Sequence, residues 1–115
     1  MIDIKIAVSS TGKDINSDVD SVFGRCPYFI IVEIDGKKIL KTEATENLSA
    51  KQVGATGISA AQAIAEKGVS AIIAGNIGPR ALDVFRQFGI EAFKGKGSVR
   101  ETLQNFLDKK LDKMQ

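Results

Sequence analysis

Histidine and tryptophan are absent from this chain of 115 residues, and cysteine and tyrosine occur once each. The lack of histidine removes the commonest catalytic base near neutral pH and the commonest nitrogen ligand for metals. A cysteine–histidine nucleophile pair is therefore excluded. A lone cysteine, Cys26, forms no internal disulfide and cannot by itself assemble a four-cysteine iron–sulfur or zinc site. That usage fits the reducing cytoplasm, the expected location. Without tryptophan there is no aromatic stacking platform, and a formal net charge of +2 is too small to argue for nucleic acid as a partner. No apolar run approaches the roughly 18 to 20 residues a membrane span requires, and "MIDIKIAV" lacks a basic leader and cleavage site. A membrane partner is not expected.

Composition instead suits one globular domain over residues 1–115, with 43% apolar and 26% charged residues. "IDIKIAVSS" reads as a first strand followed by a long polar loop, "STGKDINSDVDSVFGRCP". "YFIIVEI" and "KILKTEA" flank Asp35-Gly36, the commonest tight-hairpin signal, and so predict an antiparallel pair. Ile58 to Lys67 has helical periodicity and stops at Gly68. Strand and helix then alternate: "VSAIIAG", "PRALDVFRQF" with Pro79 in its first turn, "IEAF", and a last helix opened by Ser98 and Glu101 as a capping box. A hairpin followed by parallel strand–helix units predicts an α/β fold, a three-layer α/β/α arrangement around a mixed five-stranded sheet of order 3-2-1-4-5. The tail, 108–115, reads as frayed.

Ligands of such sheets gather beyond the carboxyl ends of the parallel strands. Four loops lead there: Ser9 to Gly12, Gly54 to Gly57, Gly75 to Arg80 and Lys94 to Ser98, the last three each followed by a helix. Helix N-termini present unpaired N–H groups with partial positive charge, and glycine admits close approach. Arg25, Arg80, Lys94 and Lys96 add cationic charge, so the implied guest is anionic. The candidate binding residues are Ser10, Gly24, Arg25, Cys26, Gly57, Asn76, Gly78 and Arg80. None of the loops matches the P-loop, and "GATGIS" lacks the full dinucleotide fingerprint.

"VFGRCPYF" places Cys26 between Arg25 and Pro27. Proline holds the preceding residue extended, so Cys26 should end the loop just before strand two. With Phe23, Phe29 and Ile31 as anchors, Arg25 and Cys26 are expected at a pocket rim. There the thiol would be partly accessible, with a pKa lowered by Arg25 and the helix N-termini, and available as a metal ligand. The run Asp14, Asn16, Asp18, Asp20 has the spacing of a calcium loop, but Val19 and Arg25 stand where glycine and a bidentate glutamate are needed. Asx turns are expected instead. A magnesium nuclease would have to draw on Asp3, Asp14, Asp18 and Asp20, which sit badly for it: the first lies at the entrance of strand one and the others crowd one loop.

"IAVSS", "VFGRCPYFIIVE" and the segment from Gly54 to Phe93 resemble the dinitrogenase iron-molybdenum cofactor biosynthesis family, from about Ile4 to Leu107. The most specific matches are F-G-R before strand two and the G-x-x-G-P-x-A block from Gly75 to Ala81. The resemblance implies a ribonuclease H-like three-layer fold. It also implies a non-enzymatic binding or carrier role, nitrogenase accessory factor-like, for an iron-sulfur or iron-molybdenum type cluster or its precursor, transiently bound. Cluster donor or acceptor proteins would be its partners. Members of the nitrogenase branch commonly carry histidine directly before the F-G pair; Val22 stands there in this chain, which leaves Cys26 as the remaining soft ligand. A regulatory module binding a small anion or a protein without metal is the alternative.

Overall fold

The computed structural model describes residues 3–51 and 56–114. Strand β1 (Ile4–Ser10) lies at the centre of the sheet, antiparallel to β2 (Tyr28–Asp35) and parallel to β4 (Ala71–Ala74). Strand β3 (Lys38–Glu46) pairs with β2 across the hairpin, where Gly36 takes φ 62°, and β5 (Glu91–Lys94) runs parallel to β4.

Both faces of the central strands are covered, which is why they read as nearly continuous apolar runs. Ala7, Phe29, Ile31 and Ile72 point to one side, against helices α1 (Thr56–Ala65) and α2 (Pro79–Gln87) through Ala60, Ala61, Ile64, Ala81, Leu82 and Phe85. Ile6, Val8, Ile30, Val32 and Ile73 point to the other, against helix α3 (Val99–Leu107) through Val99, Leu103 and Leu107. The capping box forms as the sequence signals: Ser98 Oγ accepts from Glu101 N–H at 3.1 Å, and Glu101 Oε1 accepts from Ser98 N–H at 3.4 Å. Gly68 and Gly89 follow α1 and α2 at φ 75° and 70°. No described helix is long and apolar enough to cross a membrane.

The sheet differs from the expected five strands. A sixth, β6 (Asp112–Lys113), extends the order to β3-β2-β1-β4-β5-β6 and pairs antiparallel with β5. The tail expected to fray is therefore pinned over its described part. Lys109, at φ 60°, turns the chain back, Met114 N–H donates to Ala92 O at 2.8 Å, and Leu111 and Met114 pack against opposite faces of the sheet. The open edge of β5 offers backbone partners that a charge-rich segment takes despite its composition.

The long loop between β1 and β2 folds over the carboxyl end of the sheet. Asp20 N–H donates to Ser9 O at 3.0 Å, while Asp20 O accepts from Gly75 N–H at 3.0 Å and Ser9 Oγ at 3.2 Å. Val19 N–H reaches Gly97 O at 2.8 Å, so the loop ties β1, the end of β4 and the entrance of α3 together. The expected Asx turns are present, with Asp14 Oδ1 accepting from Asn16 N–H and Asp20 Oδ1 from Val22 N–H. Gly75 is fixed by this packing: a Cβ there would lie 2.6 Å from Ser21 Cα and 3.1 Å from Asp20 O. Gly75→Ala should accordingly destabilise the fold by about 1–3 kcal/mol, the usual cost of overpacking. Urea unfolding checks this, with Gly78→Ala, whose Cβ meets nothing within 4 Å, as the neutral control.

Candidate functional site

Where β4 ends, the chain passes through Gly75 and Asn76 into Gly78, whose φ of −66° and ψ of 161° make it the N-cap of α2, with Pro79 in the first turn. No side chain caps this end, so its first N–H groups face outward. The first residues of α1, Gly57 and Ile58, lie alongside, and the 3-10 turn Phe23–Arg25 forms the opposite wall. Together they line a groove of about 440 Å³ bounded by Val22, Phe23 and Gly24, Gly57 and Ile58, and the segment from Asn76 to Ala81. Phe23 locks the wall in place. Its ring is 1% exposed and meets Phe29 and Phe85, each at 5.3 Å between centroids, and its N–H donates to Asn76 O at 3.1 Å.

Two helix starts border one concavity, an arrangement that favours an anionic guest without a metal. Arg80 adds a guanidinium that has no ion-pair partner among the described residues, and the Asn76 side-chain amide makes no hydrogen bond among them. Val22, 51% exposed, supplies an apolar wall.

Of the residues singled out from sequence, the structure brings Gly24, Gly57, Asn76, Gly78 and Arg80 to this groove. Ser10 is elsewhere: fully buried, its Oγ donates to Gly12 O at 2.8 Å and serves the loop. Arg25 turns toward the 3-10 turn Leu48–Lys51, donating from Nη1 to Ala50 O at 3.2 Å. Gly54 and Ala55 fall outside the described residues. Lys94 and Lys96 line a separate cavity with Asn105, Lys110 and Asp112, and the start of α3 is already used, its Val99 and Arg100 N–H groups donating to Ser17 O and Ile15 O at 2.8 Å.

Cys26 requires the largest correction. Its backbone is extended, φ −64° and ψ 142°, just before β2, as Pro27 dictates, but the side chain points inward and is 0% exposed. Sγ donates to Phe23 O at 3.1 Å. Burial, then the Asp20 charge, push the thiol up to about 12, outweighing hydrogen bonds from Ser10 N–H and the Asn47 side chain that favour the thiolate. The neighbouring arginine implied the opposite shift, but the 3-10 turn sends the two side chains in different directions. Asn47, which sequence reasoning missed, holds this turn: its Nδ2 donates to Cys26 O at 2.8 Å and Gly24 O at 3.2 Å from a 6% exposed position. Nothing local distinguishes that asparagine from others in a polar loop.

Among the described residues no three His, Cys, Asp or Glu side chains are gathered as metal ligands would be. Asp3, whose Oδ2 accepts from Gly36 N–H at 2.6 Å, sits at the opposite end of β1 from Asp14, Asp18 and Asp20. The nuclease geometry does not form.

The profile described as dinitrogenase iron-molybdenum cofactor matches residues 4–109. An uncharacterized protein of Methanocaldococcus jannaschii is 41% identical over 101 residues, covering 87% of this chain and 86% of that one. The apo form of the orange protein from Desulfovibrio gigas superposes with a TM-score of 0.88 at 29% identity, over 96% of this chain and 92% of that chain. A Thermotoga protein assigned as NifB gives a TM-score of 0.78 at 32% identity over 96% of this chain and 92% of its own.

Cys26 should resist iodoacetamide in the native protein at pH 8 and react once the chain is unfolded. Because its folded pKa is raised, the thiol contributes stability that is complete below the ordinary value of 9.0 and lost as pH climbs toward about 12. The stability difference between wild type and Cys26→Ala, measured by denaturant titration, should shrink across that window; a constant difference would place the thiol in solvent.

Proposed function

Because the chain belongs to the dinitrogenase iron-molybdenum cofactor family, we propose that it is a non-catalytic binding or carrier protein for an anionic metal-sulfur cofactor or precursor, taken up as cargo in the groove between the starts of α1 and α2. The observation that carries this reading is the convergence of those two helix starts on one open concavity with the side chains of Arg80 and Asn76, neither of which has an ion-pair or hydrogen-bond partner among the described residues.

The donor set limits how the cargo is held. A thiolate ligand needs an accessible, ionisable sulfur, and Cys26 offers neither at neutral pH. The cargo therefore arrives with its metal coordination complete. The chain contributes N–H groups and the Arg80 guanidinium to the anionic sulfur surface, the Asn76 amide as a further donor, and an apolar wall at Val22. Ligation by Cys26 would require the turn at Phe23–Arg25 to open, at the cost of the Phe23 packing. The same absence of gathered donors favours, as the second reading, a metal-independent module for a small anion or protein segment.

Anaerobic incubation with iron and sulfide, and separately with tetrathiomolybdate, followed by desalting, absorbance and metal analysis, tests the proposal. Retention of metal is expected, reduced about tenfold in Arg80→Ala, in line with loss of one charge-assisted hydrogen bond. Gly78→Val should abolish it without unfolding, because the added side chain enters open space from an unstrained backbone. Cys26→Ser should retain it. No uptake of either probe would remove the cargo reading, and loss confined to Cys26→Ser would restore thiolate ligation.

A further inference from the structure

The two edges of the sheet are treated differently. At one, the two-residue β6 covers β5. At the other, β3 runs for nine residues from Lys38 to Glu46 with no strand beyond it among the described residues, exposed along nearly its whole length, Ile39 and Leu40 included at 39% and 42%. An edge of this length presents a row of backbone donors and acceptors to any incoming strand.

Its charge order selects the partner. Lys41 and Glu43 stand two apart on the same face of the strand, 3.6 Å from one another. Two copies of β3 pairing antiparallel about a two-fold axis must place some residue opposite itself. Centring on Lys41 sets lysine against lysine, and centring on Glu43 sets glutamate against glutamate. Centring on Thr42, between them, sets each Lys41 opposite the other copy's Glu43, so that two ion pairs flank the axis on one face. The bulge opposite Glu33 and Ile34 leaves Leu40 as the extra residue, which keeps the regular ladder on the Thr42 side of it.

We propose that β3 is a self-complementary dimerisation edge, joining two copies of this chain into one continuous sheet with Thr42 on the two-fold axis. The pairing lies on the far side of β2 from the groove and needs no cargo, so it stands independently of the binding role. A single strand pair buries less than a standard interface, and the association is weak and concentration-dependent.

Sedimentation velocity of the purified protein, from about 10 µM to about 1 mM, reads the equilibrium. Dimer is expected at the upper end. Lys41→Glu and Glu43→Lys, both exposed and each confirmed folded by its denaturant midpoint, should each raise the dissociation constant at least tenfold by opposing like charges across the axis. The double variant should recover wild-type association, and an equimolar mixture of the two single variants should form the mixed dimer. A strictly monomeric wild type, single variants that associate normally, or a double variant that stays monomeric would each overturn the assignment.

Discussion

The groove end of this molecule depends on one backbone constraint, the clasp formed by Asp20 between Ser9 and Gly75. Its carbonyl accepts from Gly75 N–H while its own N–H returns to Ser9 O, so the loop after β1 is bonded to the ends of two parallel strands at once. Such groups cannot be left unpaired beneath a packed loop without costing about 1–3 kcal/mol each. The closure carries Ser21, Val22 and Phe23 over the α1 and α2 face, where the Phe23 packing completes the wall of the groove.

The same constraint determines the fate of the cysteine. With Phe23 packed against Phe29 and Phe85, the 3-10 turn that it opens has its direction set, and Cys26 lies buried in the same core with its thiol donating to Phe23 O. Asn47 then reaches across to the Gly24 and Cys26 carbonyls, satisfying backbone groups that the turn leaves open. A residue whose neighbours in sequence suggest reactivity thus becomes a protonated core residue. What the groove retains is electrostatic, made of peptide dipoles, the Arg80 guanidinium and the Asn76 amide.

Much of this was legible in the chain. Early alternation in "IDIKIAV", the apolar run "YFIIVEI", the Asp35-Gly36 turn, Pro79 in the first turn of α2, Gly68 and Gly89 behind two helices, and the Ser98–Glu101 box are local signals, because each reports the burial, φ, ψ or cap of a few consecutive residues. They predicted the order 3-2-1-4-5, and the residues of the Gly75–Ala81 block were placed correctly at the start of a helix. The absence of histidine likewise bounded the chemistry without a structure.

Three features needed the tertiary structure, all for the same reason. The strand Asp112–Lys113 has no β signal of its own and exists because β5 leaves an edge to be paired. Ser10 and the Lys94–Ser98 loop share an end of the sheet with the groove, but loop packing and the α3 hydrogen bonds had already taken their polar groups. The charge of Cys26 followed burial and not its neighbour Arg25, since desolvation depends on what other segments place above a side chain. The sequence by itself determined which elements form and in what order. Only the tertiary structure decided which polar groups were left over for a ligand, because satisfaction of a donor or acceptor is a property of distant segments brought into contact.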